Sequence, residues 1–224
     1  MAGEPRASAI VVARDEEAFI RPCLEHLQWC DDERILVDMQ SADRPRLRPA
    51  DLVTAILDQP LIPHMEFARN HGIDAATGDW ILIVDANELV PPRLAELLRA
   101  QIASDPAAAG IWLPRMNHCF GRPLPHIGDF PDYQLRCFRR GAGRYPDRLH
   151  SAPAIDGRTV FLPIQEGAWL VHGRAGLTIG DLVRMWNVYA EKRRALTCAP
   201  GDGSAGRRRC SGRRSRRSAS GSSR

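Results

Sequence analysis

Apolar runs that end abruptly in acid recur along the first half of this chain. Ile81 to Val84 is too short for a helix and suits a strand buried on both faces; it runs directly into Asp85, Asn87 and Glu88. Ser8 to Ala13 is a second such run, ending in Arg14, Asp15, Glu16 and Glu17. Phe19, Ile20, Cys23, Leu24 and Leu27 follow at helical spacing, with Asp15 suited to the N-cap and Pro22 limiting where the regular helix begins. Arg34 to Val37 predicts another strand, followed by Asp38, Gln40, Ser41 and Asp43, and Leu52 to Leu57 predicts a third after a loop broken by Pro45 and Pro49. A helix over Glu66 to Ala76, stopped by Gly78, presents Arg69 and Asn70 ahead of the Asp85 strand. Pro91 and Pro92 open the next helix, with Leu94, Leu97, Leu98 and Ile102 on one stripe. Strands alternating with helices predict an α/β fold with a parallel, doubly wound sheet.

The pattern changes after this. Gly110 to Leu113, Gln134 to Phe138 and Thr159 to Leu162 read as short strands separated by Gly and Pro loops, extending the sheet and walling one side of a site. Thr178 to Leu196 returns to helical spacing; core packing is the default for its apolar stripe, and a membrane-surface helix is the minority reading. Beyond Pro200 the chain is Gly, Ser and Arg, a composition expected to be disordered.

Composition narrows the partners. The chain of 224 residues carries a formal charge of +4, but residues 201–224 hold eight Arg and one Asp, so the first 200 residues sum to −3. A mildly acidic domain argues against nucleic acid as the ligand. Six cysteines without CxxC pairing and without a secretory leader are read as reduced thiols in cytoplasm. No apolar run reaches the ~20 residues that cross a bilayer, and peripheral attachment at the inner face of a membrane stays open.

Candidate chemistry sits at the strand ends. In open α/β sheets the carboxyl ends of the strands face the ligand crevice, and oxygen-bearing side chains at i and i+2 can share one hard divalent cation. The same residues also suit an ordinary capped turn.

The segments SAIVVARDEEAFI with CLEHL, ILVDMQSADR, EFARNHGIDAATGDWILIVDANELVPP, and PDYQLRCFRRG with a later LH, taken in this order, resemble the family 2 glycosyltransferases of the GT-A fold. The subgroup that includes bacterial lipopolysaccharide-core glucosyltransferases is the nearest in pattern, over roughly residues 7 to 195. The resemblance implies a Rossmann-like, mostly parallel sheet with a mixed C-terminal half. It divides residues 1–200 into a nucleotide-binding half (7–104) and an acceptor half (105–200), with 201–224 as a tail. By position, Ala13, Arg14, Glu16 and Asp38 hold the nucleotide, with Ser41 beside them; Arg69 and Asn70 lie near the diphosphate. Asp85, Asn87 and Glu88 contact ribose and a divalent metal (Mg2+ or Mn2+), and His172, placed on a loop after an apolar strand, adds a late metal or phosphate contact unless it is simply structural. Asp132, with Asp129 second, is the carboxylate that takes the acceptor proton, and either also suits a loop Asx turn. The sequence departs from the pattern at Asn87, where the family carries Asp, and at Ser151, where the subgroup carries an acid.

The resulting expectation is an inverting, metal-assisted transferase that uses a nucleotide-sugar donor of the UDP type. Its acceptor is a glycan, a lipid-linked or a small-molecule hydroxyl in cell-surface glycan synthesis. A non-catalytic nucleotide-binding homologue is the alternative suggested by Asn87. A nucleotidyltransferase ranks lower, because the acidic Arg14-Asp15-Glu16-Glu17 turn lacks a Gly-rich basic loop.

Overall fold

The computed structural model describes residues 5–30, 33–42, 50–60, 62, 65–125, 130–146, 151–173, 180, 183 and 187. The helix expected over 178–196, the tail and Asp129 lie outside the described residues, save for Gly180, Val183 and Asn187, which are helical. Contacts divide the chain into residues 1–178 and 179–224, and everything below belongs to the first unit.

Four parallel strands build one half: β1 (Ala7–Ala13), β2 (Glu33–Asp38), β3 (Ala55–Asp58) and β4 (Trp80–Asp85). They lie in the order β3-β2-β1-β4. Their apolar residues alternate between two cores, as a sheet covered on both faces requires. Ala9, Val11, Leu36, Leu82 and Val84 pack with α1 (Glu17–Glu25) and α3 (Pro92–Ser104). Ile10, Val12, Ile35, Val37, Ile81 and Ile83 face α2 (Met65–Ala75). Each fully buried aliphatic contributes about 1.5–3 kcal/mol, which makes the β1-β4 pair the anchor of the fold. Gly72 lets α2 approach β1 closely, since a Cβ there would come within 2.4 Å of Ile10 Cγ2.

The second half extends this sheet. A two-residue strand, β5 (Glu88–Leu89), follows β4 directly; β6 (Gly110–Cys119), β7 (Arg122–Pro123) and β8 (Asp132–Arg139) come next. β9 (Gly143–Arg144) pairs with β10 (Ala154–Ile155), and β11 (Thr159–Phe161) and β12 (Leu170–His172) complete the set. β8 runs antiparallel to β4, and β6, β12 and β5 continue outward from it. The mixed half therefore extends the sheet as expected.

Several local expectations change. β3 begins at Ala55, not Leu52, because Leu52 and Thr54 are used to bond Arg34 from outside the strand. Pro22 lies inside α1 and does not limit its start. The N-cap is Glu16, since Asp15 adopts φ 55° and its carboxylate instead accepts the Ala42 N–H at 2.7 Å. β6 runs through Pro114 to Cys119, because β8 pairs with it as far as Arg115, β12 along Arg115–Asn117 and β7 at His118 and Cys119. His172 is in β12, paired with Glu88 and Asn117 and not on a loop.

Candidate active site

The register of the parallel strands puts their ends side by side. Ala13 pairs with Asp38, and Val12 with Asp85, so the acids that close β2 and β4 flank the end of β1. The turns beyond are interlocked. Ser41 Oγ accepts the Asp15 N–H at 3.1 Å, and Asp38, only 2% exposed, accepts the Ser41 N–H at 3.0 Å. Arg14 is exposed and lies 3.6 Å from Asp15. Glu16 supplies the carbonyl that accepts the Phe19 and Ile20 N–H groups at the start of α1.

Asp85 is the centre of a line of alternating charge. Arg69 of α2 and Arg136 of β8 each reach its carboxylate at 2.5 Å. Arg136 also bonds Glu88 at 3.0 Å; Glu88, fully buried in β5, reaches Arg115 of β6 at 3.2 Å, and Arg115 pairs with Asp132 through Nε at 2.9 Å. Glu88 Oε2 additionally accepts the Asp85 N–H at 3.1 Å. Three arginines and three acids thus form one neutral chain, Arg69–Asp85–Arg136–Glu88–Arg115–Asp132. Charges this deep are tolerated because each is paired and hydrogen-bonded.

The pairing sets protonation. Burial would raise the Asp85 carboxyl, but Arg136 and then Arg69 outweigh it and hold it well below the usual carboxylate range. Burial works against the Arg136 charge and is overcome by Asp85 and Glu88. Asp132 is lowered as well: burial opposes its charge, and the bonds from Arg115 and Gln134 prevail.

Asn70, expected near a diphosphate, has its amide engaged by backbone. Its amide spans the Tyr145 backbone, donating to the carbonyl at 2.9 Å and accepting the N–H at 3.0 Å. Tyr145 in turn carries the Arg69 guanidinium 5.0 Å above its ring. Asn70 therefore supports Arg69 from behind.

Asn87 and His172 meet across the β5–β12 pair, with Asn87 Nδ2 3.5 Å from His172 Nε2 and His172 Nδ1 2.7 Å from Asn117 Oδ1. Burial, then Arg115, lowers the His172 pKa and favours the neutral ring, whose Nδ1–H can donate to Asn117 while Nε2 faces the Asn87 amide. An imidazole nitrogen and an amide oxygen near a strand-end carboxylate suit a cation that keeps most of its coordination for substrate phosphate. Among the described residues no cluster of three His, Cys, Asp or Glu could hold a metal alone.

A cavity of about 410 Å3 opens over this cluster, lined by Arg69, Asp85, Trp112, Arg115, Tyr133 and Arg136, among others. Arg69 Nε and Arg136 Nε are buried without a hydrogen-bond partner. Arg69 and Arg136 both line this polar cavity, and guanidinium groups so placed suit an anionic ligand.

Sequence reasoning had not singled out Arg115, Asn117 and Arg136. The signal was available: Arg136 stands between Leu135 and Cys137, and Arg115 between Pro114 and Met116, and a charge inside a buried strand must have a partner.

Residues 64–153, which span α2, β4 and β8, match the family model described as Glycosyl transferase family 2. That segment carries the family 2 glycosyltransferase pattern. It is 32% identical over 168 residues to a TPR repeat-containing protein of Synechococcus elongatus, covering 74% of this chain and 39% of that protein. It is 28% identical over 160 residues to the lipopolysaccharide core biosynthesis glycosyltransferase LpsC of Rhizobium meliloti, covering 67% of this chain and 57% of that one. The chain thus spans about half the length of these curated relatives. The mannosyltransferase PcManGT of Pyrobaculum calidifontis, solved with GDP-Man and Mn2+, superposes with a TM-score of 0.56 at 20% identity, over 92% of this chain and 67% of that one. That likeness is one of fold, and the fold is GT-A.

Proposed function

We propose that the chain is a glycosyltransferase that moves a sugar from a nucleoside-diphosphate donor to an acceptor hydroxyl with inversion. The observation that carries this is the junction of Ala13, Asp38 and Asp85 at the carboxyl ends of three parallel strands, with Arg69 and Arg136 lining the cavity beside it. In this reading Asp38 and Ser41 shape the nucleotide end. Arg69 and Arg136 face the diphosphate, and Asp85 holds both in place. PcManGT, a GT-A protein, was solved with a nucleotide sugar and Mn2+, which supports the donor class.

Asp132 is the base in this account. Its depressed pKa keeps it ionised at neutral pH, ready to accept the acceptor O–H proton. The acceptor oxygen attacks the anomeric carbon as the bond to the β-phosphate oxygen breaks. The electron pair leaves on the diphosphate and the proton passes to Asp132. Arg115, bonded to Asp132, keeps the carboxylate oriented and its basicity modest. Asp85, Asn87 and His172 are the residues that would hold a divalent metal arriving with the donor, and that metal would neutralise leaving-group charge. A donor of the UDP type, a cytoplasmic location and peripheral contact with a membrane belong to the same reading. Among the described residues, no helix is long and apolar enough to cross a bilayer.

Thermal shift with UDP and GDP, in Mn2+ and in EDTA, tests the donor site, since a ligand that binds only the folded state raises its melting temperature. No shift with either nucleotide counts against the reading. Nucleotide binding without hydrolysis of any UDP- or GDP-sugar would favour the non-catalytic homologue.

A further inference from the structure

Phe161 is 60% exposed although it lies in β11, between Val160, which packs on the core, and Leu162, which is buried within it. In the parallel register with β6 it stands directly opposite Trp112, and the two rings stack with centroids 5.5 Å apart and planes 12° from parallel. Tyr133 of β8 meets the Phe161 ring edge-on at 4.9 Å, held there by donating its hydroxyl to the Leu162 carbonyl at 3.0 Å. Three strands thus present one fixed aromatic ledge. Trp112 and Tyr133 also line the cavity over Asp85, and Phe161 lies outside that lining, so the ledge borders the candidate active site.

We propose that this ledge is the acceptor subsite and that the acceptor is a saccharide whose pyranose C–H face stacks on the rings; the inference rests on the glycosyl-transfer reading. The occupant follows from the mixture of surfaces. A pyranose has an apolar face bounded by hydroxyl groups, and here an aromatic plane is bounded by polar side chains, with Gln134, Ser151 and Glu66 lining the same cavity. A hydrocarbon chain suits this place poorly, because beyond the rings it would desolvate Arg69, Asp85, Arg115 and Arg136 without returning any hydrogen bond. Rings already locked by each other lose little freedom on binding, so stacking is not offset by ordering.

Saturation-transfer NMR tests this with methyl β-D-glucopyranoside, methyl β-D-galactopyranoside and methyl α-D-mannopyranoside, and with 1-hexanol as the apolar probe. The protein is used with Mn2+ and whichever of UDP or GDP it binds. We expect transfer to the ring C–H protons of at least one glycoside in the wild type and in Phe161→Tyr. Phe161→Leu should bind about tenfold more weakly at an unchanged melting temperature, the scale of one lost aromatic contact. Equal transfer in wild type and Phe161→Leu, no transfer to any glycoside, or transfer to hexanol alone would each overturn the ledge as a sugar subsite. Failure of the glycosyl-transfer reading is seen separately, as absence of a nucleotide-induced thermal shift in the wild type.

Discussion

Arg136 Nη2 lies 2.5 Å from Asp85 Oδ2, so the strand-end acid of β4 is joined to a buried arginine 51 residues later in the chain. The same guanidinium holds Glu88 at 3.0 Å. Replacing Arg136 by Met fills the space but leaves Asp85 with Arg69 alone, Glu88 with Arg115 alone, and the line of charge at −1. We expect a loss of about 3–5 kcal/mol in urea denaturation, the cost of leaving buried charge uncompensated. A loss below 1 kcal/mol would mean that Asp85 and Glu88 are stabilised without it.

The Asp85 carboxyl gives stability a pH dependence of known sign. Its folded pKa is depressed below an ordinary value of about 3.9, so its contribution is complete above that value and is lost as pH falls toward the folded pKa. Asp85→Asn lacks that titration. The stability gap between wild type and Asp85→Asn should therefore narrow from pH 7 to pH 3, measured by denaturant midpoint. A gap constant over that window would show that the arginines do not set the Asp85 pKa.

Asn87→Asp adds a charge near His172 Nε2 in a side chain of nearly the same shape. A third anion beside Asp85 and Glu88 strengthens the attraction for a 2+ ion and, without metal, repels a diphosphate. We expect tighter UDP binding in Mn2+ by calorimetry and no gain, or a loss, in EDTA. Identical affinities in Mn2+ would remove Asn87 from the metal.

Arg69 and Asn70 should separate cleanly. Asn70→Ala deletes two bonds to the Tyr145 backbone and should lower stability by about 1–3 kcal/mol. Arg69→Gln removes the charge facing the cavity and should weaken nucleotide binding more than Asn70→Ala does. Equal losses of affinity in both variants would place Asn70 on the ligand.

The parallel half was legible because its signals are local. Ile81 to Val84 and Ser8 to Ala13 are continuous apolar runs with acids at their ends, and burial on both faces leaves few alternatives to a central strand. β5 and the full length of β6 were not legible. Glu88 and Leu89 have no periodicity to read, and Pro114 interrupts a strand that exists because β8 pairs along it. Asp85 could be placed at the site from sequence, since the strand end points it there. Arg115 and Arg136 could not, because their partners lie across the sheet, and the burial that makes them informative is a tertiary fact. Asn70 shows the converse. A residue matched correctly by motif has its amide committed to the Tyr145 backbone, a contact 75 residues away that no local pattern encodes.

The alternating line from Arg69 to Asp132 takes one arginine and two acids from before residue 105 and two arginines and one acid from after it. Neither share is neutral: the first carries −1 and the second +1. Separated fragments divided near residue 105 would therefore each expose an unbalanced set of charges, and the mutual attraction of those sets opposes their remaining apart. Cooperativity between the two halves is written into the site itself, so a stable nucleotide-binding half without β6 and β8 is not expected, and mixing the two fragments should restore structure that neither has alone.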